Sequence, residues 1–371
     1  MTTAAVDEPA RAGDRPDTAV TQPPRQQRDP FFDNAKFLAI VLVVIGHAWP
    51  PLRDESRFVA VADLWVYAFH MPLFILLAGY FSQRFSLGSR KARKLITSVA
   101  IPYIVFEVTW PLFGWLAGGN ELDFHLLNPD YAAWFLIALF CYRLSTPVWQ
   151  QVRWPLALAV AISLLSGMED LPSALGMSRM LGFLPFFVLG LLLRPEHFAW
   201  LRQPKVRVAA VALLAGAAMV AWFAEPRMSG EWVYWRIGYE ELAVSDLVGV
   251  AMRFAILVCG FAMSAAFLAL VPGRKTWFSG LGTRTMYVFL LHMFVLTGLA
   301  YLGVDIGTFD APLGIAVILL GSVALAAVLA TPPVRWLFRW AIEPKLSWFF
   351  RRKDEAAALA RLSRLLPGRT R

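Results

Sequence analysis

The segment DNAKFLAIVLVVIGHAWP, residues 33–50, decides the fold of this protein. It is apolar enough to enter a bilayer, yet it carries Lys36 near one end and His47 near the other. Their spacing of eleven positions, at about 100° per residue, is three helical turns plus about 20°, with a rise of about 16 Å. Because ionisable side chains inside a membrane cost free energy, a cation and a base on one helix face indicate a polar passage.

The composition supports a membrane location for the whole chain. The 371 residues are 58% hydrophobic and 16% charged, with a mean hydropathy of +0.55, which leaves too few charges to cover soluble cores. The net charge of +9 does not indicate nucleic-acid binding, because the basic residues lie between apolar runs. Cys141 and Cys259 both lie inside apolar runs, so no disulfide framework is expected. The prediction is an all-α, polytopic integral membrane protein.

About ten apolar runs approach the roughly 20 residues that a spanning helix needs. They cover approximately 35–52, 62–83, 95–117, 129–149, 153–168, 178–193, 206–224, 246–271, 281–302 and 311–331. The fourth and sixth have the shortest uninterrupted apolar stretches, so tilt, a break or a re-entrant segment is possible there.

The charges of the connecting loops alternate along the chain. One set of loops carries 14 Lys/Arg and one acid, and the alternate set carries 5 Lys/Arg and 15 acids. The basic set is 84–94, 143–153, 194–207 and 272–284. Since Lys and Arg are retained on the cytoplasmic side, both termini are predicted to be cytoplasmic in a multi-pass protein of the inner (plasma) membrane.

Three regions follow from this pattern. Residues 1–33 are rich in proline and charge and are predicted to form a disordered cytoplasmic tail. Residues 34–332 form the transmembrane domain. Residues 333–371 begin with tryptophans and phenylalanines mixed with arginines, which predicts an interfacial amphipathic segment followed by a cytoplasmic tail.

The first run resembles the signature of the acyltransferase-3 family of integral membrane acyltransferases, in which Arg or Lys is followed, after ten residues, by His. FHMPLFILLAGYF at 69–81 is similar to the branch related to fucose 4-O-acetylases, and Arg90 and Arg93 resemble the family's paired arginines. Further similar segments, which extend the resemblance to about residue 330, are WFLIALF at 134–140, LPFFVLGLLL at 184–193 and TMYVFLLHMF at 285–294.

This resemblance implies transfer of an acyl group, often acetyl, from cytoplasmic acyl-CoA to a hydroxyl of an outward-facing sugar, exopolysaccharide or glycolipid, with no tightly bound cofactor. His47 is then expected to be the general base, because imidazole titrates near neutrality. An acyl-histidine intermediate is a variant of the same chemistry. Lys36 either holds a donor phosphate or stabilises the developing oxyanion.

A cluster of four basic residues follows the second run, formed by Arg90, Lys91, Arg93 and Lys94. Its charges suit the phosphates of acyl-CoA, and the match to the family motif favours this role for the two arginines. Topology alone also places Lys and Arg in a cytoplasmic loop, so the cluster has a second explanation.

Four further ionisable residues lie inside predicted helices, His70, Glu107, Arg253 and His292. We expect them to line the cavity or contact the acceptor. The histidines can also bond across helices, and Glu107 and Arg253 can pair with each other or with substrate. No metal site is predicted, because no metal-binding spacing is present.

The competing interpretation is a secondary transporter or lipid-linked glycan carrier without acyl transfer. Transporters also combine many helices with buried ionisable groups. However, no matching pair of broken segments is found in the two halves of the sequence, and the Lys36–His47 spacing has no evident role in transport. The acyltransferase is therefore the favoured prediction.

Overall fold

The structure is a computed structural model that describes residues 28–350 except positions 173 and 347. The described residues form helices and turns, without β-strands. The α-helices are α1 Pro30–Ala48, α2 Pro50–Arg53, α3 Arg57–Tyr67, α4 His70–Ser82, α5 Ser89–Leu95, α6 Ile101–Gly118, α7 Trp134–Trp149, α8 Pro155–Leu165, α9 Met177–Gly182, α10 Leu184–Leu192, α11 Pro195–Leu201, α12 Pro204–Ala224, α13 Glu231–Tyr234, α14 Asp246–Leu270, α15 Thr285–Tyr301, α16 Pro312–Leu329 and α17 Pro332–Ile342.

Short turns of tighter or wider helix complete these elements. A π-helical turn joins α5 to α6 at Ile96–Ala100. The 3-10 turns are Ala174–Gly176, Glu225–Arg227, Leu281–Arg284 and Ile306–Phe309. The predictions for residues 1–27 and 351–371 lie outside the described residues.

Seven helical segments are long and apolar enough to cross a membrane, and an eighth is added if α9 and α10 form one span with a bend of 56°. The polytopic, all-α architecture is thereby confirmed. The two remaining predicted runs form shorter helices, α7 with 16 residues and α8 with 11. The short apolar stretches of the sixth run allow a break there, and the bend between α9 and α10 lies in this run.

Helix α1 begins earlier than the sequence prediction, which placed residues up to 33 in the tail. The side chain of Asp29 accepts a hydrogen bond from the Phe31 backbone N–H at 2.9 Å, and Pro30 occupies the first helical position. Phe31 is fully buried, which fixes this first turn to the core. The helix ends at Ala48 because Pro50 has no backbone N–H with which to continue it.

The same helix lies at the centre of the bundle. Within its apolar window 61% of the residues are buried, compared with 11% for α12. Helix α1 packs against α3, α4, α15 and α16. Helix α12 instead exposes a largely apolar surface, as expected for a helix that faces lipid.

Two glycines bring α4 and α10 into backbone contact. A Cβ atom on Gly79 would lie 2.1 Å from the Phe187 carbonyl oxygen, and one on Gly190 would lie 2.1 Å from the Leu76 carbonyl oxygen. Only hydrogen side chains fit there, a common device for close packing of membrane helices. This crossing fixes α10 and therefore positions the short helix α9, which is bent away from it.

Candidate active site

Two adjoining cavities lie along α1. The larger, of about 560 Å³, lies at the His47 end, and the smaller, of about 160 Å³, lies at the Lys36 end. Val43, Met71 and Phe289 line both cavities and therefore stand between them.

One stripe of α1 lines both spaces. Lys36 and Ile40 line the smaller cavity, Val43 lines both, and His47 lines the larger. Their spacing of four, three and four residues places them on one helix face. Lys36 and His47 thus face interior cavities and not lipid, although apolar side chains separate the two spaces.

The imidazole of His47 is held by a second histidine. His47 Nδ1 lies 2.8 Å from His292 Nε2, and the rings stack with centroids 5.0 Å apart. His292 Nδ1 lies 2.8 Å from the Val288 carbonyl oxygen, which can only accept a hydrogen bond. A neutral His292 therefore carries its proton on Nδ1 and accepts at Nε2 from the Nδ1–H of His47. The lone pair of His47 is then on Nε2, which has no hydrogen-bond partner among the described residues.

His70 adds a second imidazole to the larger cavity. It is buried at the start of α4, where the chain breaks after α3, and its Nδ1 lies 2.9 Å from the Val66 carbonyl oxygen. Its ring meets the Tyr67 ring edge to face, with centroids 4.6 Å apart. The carbonyl places the proton on Nδ1, so Nε2 of His70 is also an acceptor. Both side chains line the larger cavity.

A bridged ion pair lies at the mouth of the larger cavity. Arg53 Nη1 donates to the Tyr234 hydroxyl at 2.6 Å, and that hydroxyl donates to Asp63 Oδ2 at 2.8 Å. The Arg53 and Asp63 charges are 3.8 Å apart. Burial, with the nearby Asp63, raises the pKa of Tyr234, so its hydroxyl keeps the proton that it donates. This arrangement offers both donors and acceptors to a polar molecule in the cavity.

The smaller cavity combines two cations, Lys36 and Arg143, and the polar residue Thr285 with largely apolar walls. Lys36 Nζ forms an ion pair with Asp33 Oδ1 at 2.7 Å. Arg143 lines the same cavity, and among the residues that the structure describes no ion pair or hydrogen bond joins its guanidinium. Aromatic and aliphatic side chains, including Phe74 and Phe81, form the remaining walls. Such a space suits an anion attached to a flexible chain.

The basic cluster Arg90, Lys91, Arg93 and Lys94 is exposed on α5 and lines neither of these cavities. It lies at the Lys36 end of the bundle, because α5 follows directly after α4, and Phe81 near the end of α4 lies 5.8 Å below the Lys36 ammonium. The cluster is therefore on the same side of the bundle as the smaller cavity.

The sequence predicts that Glu107 and Arg253 line the cavity or contact the acceptor. In the structure neither residue lines the larger cavity. Glu107 accepts a hydrogen bond from the Asp130 backbone N–H at 3.2 Å, and Arg253 donates to the Ile237 carbonyl oxygen at 2.9 Å. Each thus ties a different loop to its helix, and no ion pair joins the two within the described chain. Both residues are isolated charges inside apolar helices in the sequence, but in the structure each one contacts a different loop.

Sequence reasoning did not identify Arg53, Asp63, Arg143 and Arg179 as site residues. All except Arg143 line the larger cavity. A signal was present for two of them, since Asp63 and Arg143 stand inside or beside apolar runs where a charge needs a reason. The other side chains lie in loops or helix ends that look like ordinary topological or interfacial residues in the sequence.

Together the fold and the site define a polytopic, all-α membrane protein with a cavity lined by His47, whose ring is hydrogen-bonded to His292. The chain belongs to the acyltransferase 3 family, since the model of its acyltransferase domain matches residues 29–331. It is therefore a membrane acyltransferase. No curated protein and no solved structure matches the chain.

Proposed function

We propose that the protein is an O-acyltransferase that moves an acyl group, with acetyl as the first candidate, from acyl-CoA to a hydroxyl of a sugar, exopolysaccharide or glycolipid. The observation that carries this proposal is the hydrogen-bonded series from Val288 through His292 to His47, which leaves a basic nitrogen in the larger cavity. No tightly bound cofactor is needed for this reaction.

The proposed base is Nε2 of His47. As the acceptor oxygen attacks the thioester carbonyl carbon, its proton passes to this nitrogen. The C–S bond of the tetrahedral intermediate then breaks, the sulfur of CoA leaves with the proton from His47, and the acyl ester remains on the acceptor. The Nδ1–H of His47 stays bonded to His292 throughout, which keeps the ring in one tautomer and one orientation.

The lining of the smaller cavity supports the proposal that acyl-CoA is the donor. An acyl-CoA arm is flexible and largely uncharged, whereas its nucleotide carries phosphates. We assign the arm to the smaller cavity, with Lys36 and Arg143 beside its polar groups, and the phosphates to the exposed cluster on α5. The thioester would then reach the boundary at Val43, Met71 and Phe289.

The larger cavity supports a carbohydrate acceptor. The rings of Tyr67 and Tyr234 meet edge to face with centroids 4.8 Å apart, and both line the cavity. Aromatic faces next to paired hydrogen-bond donors and acceptors suit the alternating apolar and polar faces of a sugar. His70 Nε2 offers a further acceptor for a sugar hydroxyl.

The proposed orientation places the Lys36 end in the cytoplasm, where acyl-CoA is found. The bias of Lys and Arg among the loops supports this orientation, with both termini cytoplasmic and the larger cavity opening outward in the plasma membrane.

The test of this function is His47→Ala in the full chain, assayed in membranes with labelled acetyl-CoA and extracted glycan as acceptor. We expect acyl transfer to fall about 10²- to 10⁴-fold, the contribution of a positioned general base. The matched control is His125→Ala, because His125 is exposed beside Asp123 and lines neither cavity. Wild-type transfer by a stably inserted His47→Ala protein would refute the assignment.

A further inference from the structure

The larger cavity contains one arginine whose charge no carboxylate neutralises. Arg179, on α9, lines the cavity together with His47, and no described acid lies within ion-pair distance of its guanidinium. Glu231, an acid whose charge acts on Arg179, is already bound by Arg236 through both of its carboxylate oxygens.

The other charges of the lining are paired. Asp63 is held by Arg53 and Tyr234, and Glu225 lies 3.6 Å from Arg57. Asp54 Oδ1 lies 4.0 Å from Arg53 Nε, and its side chain is 85% exposed. Among the described side chains that line the cavity, Arg179 is thus the charged group without an ion-pair partner.

The guanidinium of Arg179 is also held in place. It lies over the Trp134 ring, 5.3 Å from the centroid, and Trp134 is stacked on Phe183 with centroids 5.5 Å apart. This cation–π contact holds the guanidinium against the ring and leaves its N–H donors available, and the planar fork of these donors matches the oxygens of a carboxylate or phosphate. The bend after α9 is what brings this short helix, and Arg179 with it, to the cavity wall.

We propose that Arg179 is an anion-binding group for the acceptor, so that the molecule acylated here carries a carboxylate or phosphate close to its reacting hydroxyl. This inference rests on the proposed function for the term acceptor. It narrows the acceptor from any carbohydrate to an acidic one, such as a uronate-type or phosphorylated sugar.

The test measures binding and not turnover. The full chain in lipid nanodiscs is titrated with methyl glucuronide, glucose 6-phosphate and the neutral methyl glucoside, and binding is followed by the shift in thermal unfolding. We expect the wild-type protein to bind at least one of the two anionic probes about tenfold more tightly than the neutral one. The two anionic arms distinguish a carboxylate from a phosphate.

Substitutions of Arg179 test whether this residue causes the preference for the anionic probes. Arg179→Gln should reduce the ratio of affinities to about one, whereas Arg179→Lys should keep part of it, because the charge remains and the planar fork is lost. The matched control is Arg153→Gln, since Arg153 also lies over a tryptophan, Trp154, but lines neither cavity. The control should keep the wild-type ratio.

Two results would overturn the inference: a wild-type protein without preference for either anionic probe, or an unchanged ratio in Arg179→Gln. If that unchanged ratio came with a general loss of turnover, Arg179 would be an oxyanion group and not an acceptor-binding group. If Arg179→Gln does not fold, the wild-type preference must weaken from low to high salt, and a salt-independent preference counts against an ionic contact.

The outcome is separable from that of the proposed function. Stabilisation of the same preparation by acetyl-CoA reports the donor site. A protein that binds the anionic probes but is not stabilised by acetyl-CoA would contradict the proposed function and leave the anion site in place. The reverse result would remove only the anion site.

Discussion

The two cavities along α1 differ in the kind of polar group that they offer. The larger one combines imidazole nitrogens, a tyrosine hydroxyl and paired charges, and it can both donate and accept hydrogen bonds. The smaller one offers the cations Lys36 and Arg143 and the polar residue Thr285 among largely apolar walls. A hydroxyl-rich molecule can be bound and deprotonated in the first, where Arg179 also faces the cavity, whereas the second suits an anion attached to an apolar chain.

This difference arises from a single helix. The stripe that contains Lys36, Val43 and His47 continues from one cavity into the other, so both chemistries are held at a fixed separation by one rigid element. A general base and its donor site that share a helix cannot drift apart without breaking that helix. Because the two cavities are separate, mutations in the smaller cavity should change the donor KM, and mutations in the larger cavity should change kcat or the acceptor KM.

After loss of the base itself, the largest expected effect comes from removing the histidine that is hydrogen-bonded to it. His292→Phe keeps a ring but removes the acceptor for the Nδ1–H of His47, so the base loses its fixed tautomer. We expect kcat/KM to fall about 10²-fold with little change in the donor KM, measured by steady-state transfer from labelled acetyl-CoA.

The companion variant separates chemistry from packing. His292→Gln provides a side-chain carbonyl that can accept from His47, and it should recover part of the lost rate. If the glutamine variant were no better than the phenylalanine variant, His292 would be a packing residue and not a positioning residue.

An intermediate effect is expected in the smaller cavity. Arg143→Met removes a cation that no described carboxylate neutralises, and it should raise the donor KM about tenfold while the acceptor KM stays near the wild-type value. Lys36→Met should act in the same direction. Lys205→Met, at an exposed position on α12, is the control. A change confined to the acceptor KM would reverse the assignment of the two cavities.

The smallest expected effect lies at the mouth of the larger cavity. Tyr234→Phe removes the hydroxyl that bridges Arg53 and Asp63, and we expect the acceptor KM to rise about three- to tenfold, the loss of one net hydrogen bond. The donor KM should not change. Tyr301→Phe is the matched control, because its hydroxyl accepts from Asn120 outside both cavities. Equal effects in the two variants would show that the bridge has no part in acceptor binding.

Sequence reasoning worked best where a single helix carries the information. The period of the α-helix was enough to place Lys36 and His47 on one face, and the interrupted hydrophobicity near residues 178–193 was enough to raise the possibility of a break. It also selected His70 and His292 as ionisable groups that need a reason inside a membrane. These properties depend only on residues close together in the sequence, so the sequence is sufficient to predict them.

It worked less well where two helices decide the outcome. Glu107 and Arg253 are, like the histidines, rare ionisable residues inside apolar helices, yet their hydrogen-bond partners are loop backbone groups outside the lining of the cavity. Arg179 looks like a charge at the end of an apolar run, yet the bend between α9 and α10 places it in the cavity wall. Neither result can be read from hydropathy, because hydropathy does not say which helix faces which.

The sequence by itself determined that this is a helical membrane protein and which residues could carry chemistry, because hydrophobicity and helical period are local properties of the chain. The tertiary structure alone decided which of those residues meet. The contact of Gly79 with α10 and of His47 with His292 joins positions more than a hundred residues apart, and such contacts follow from the packing of whole helices. The packing of the helices therefore decides which ionisable side chains line the cavities and which contact other parts of the protein.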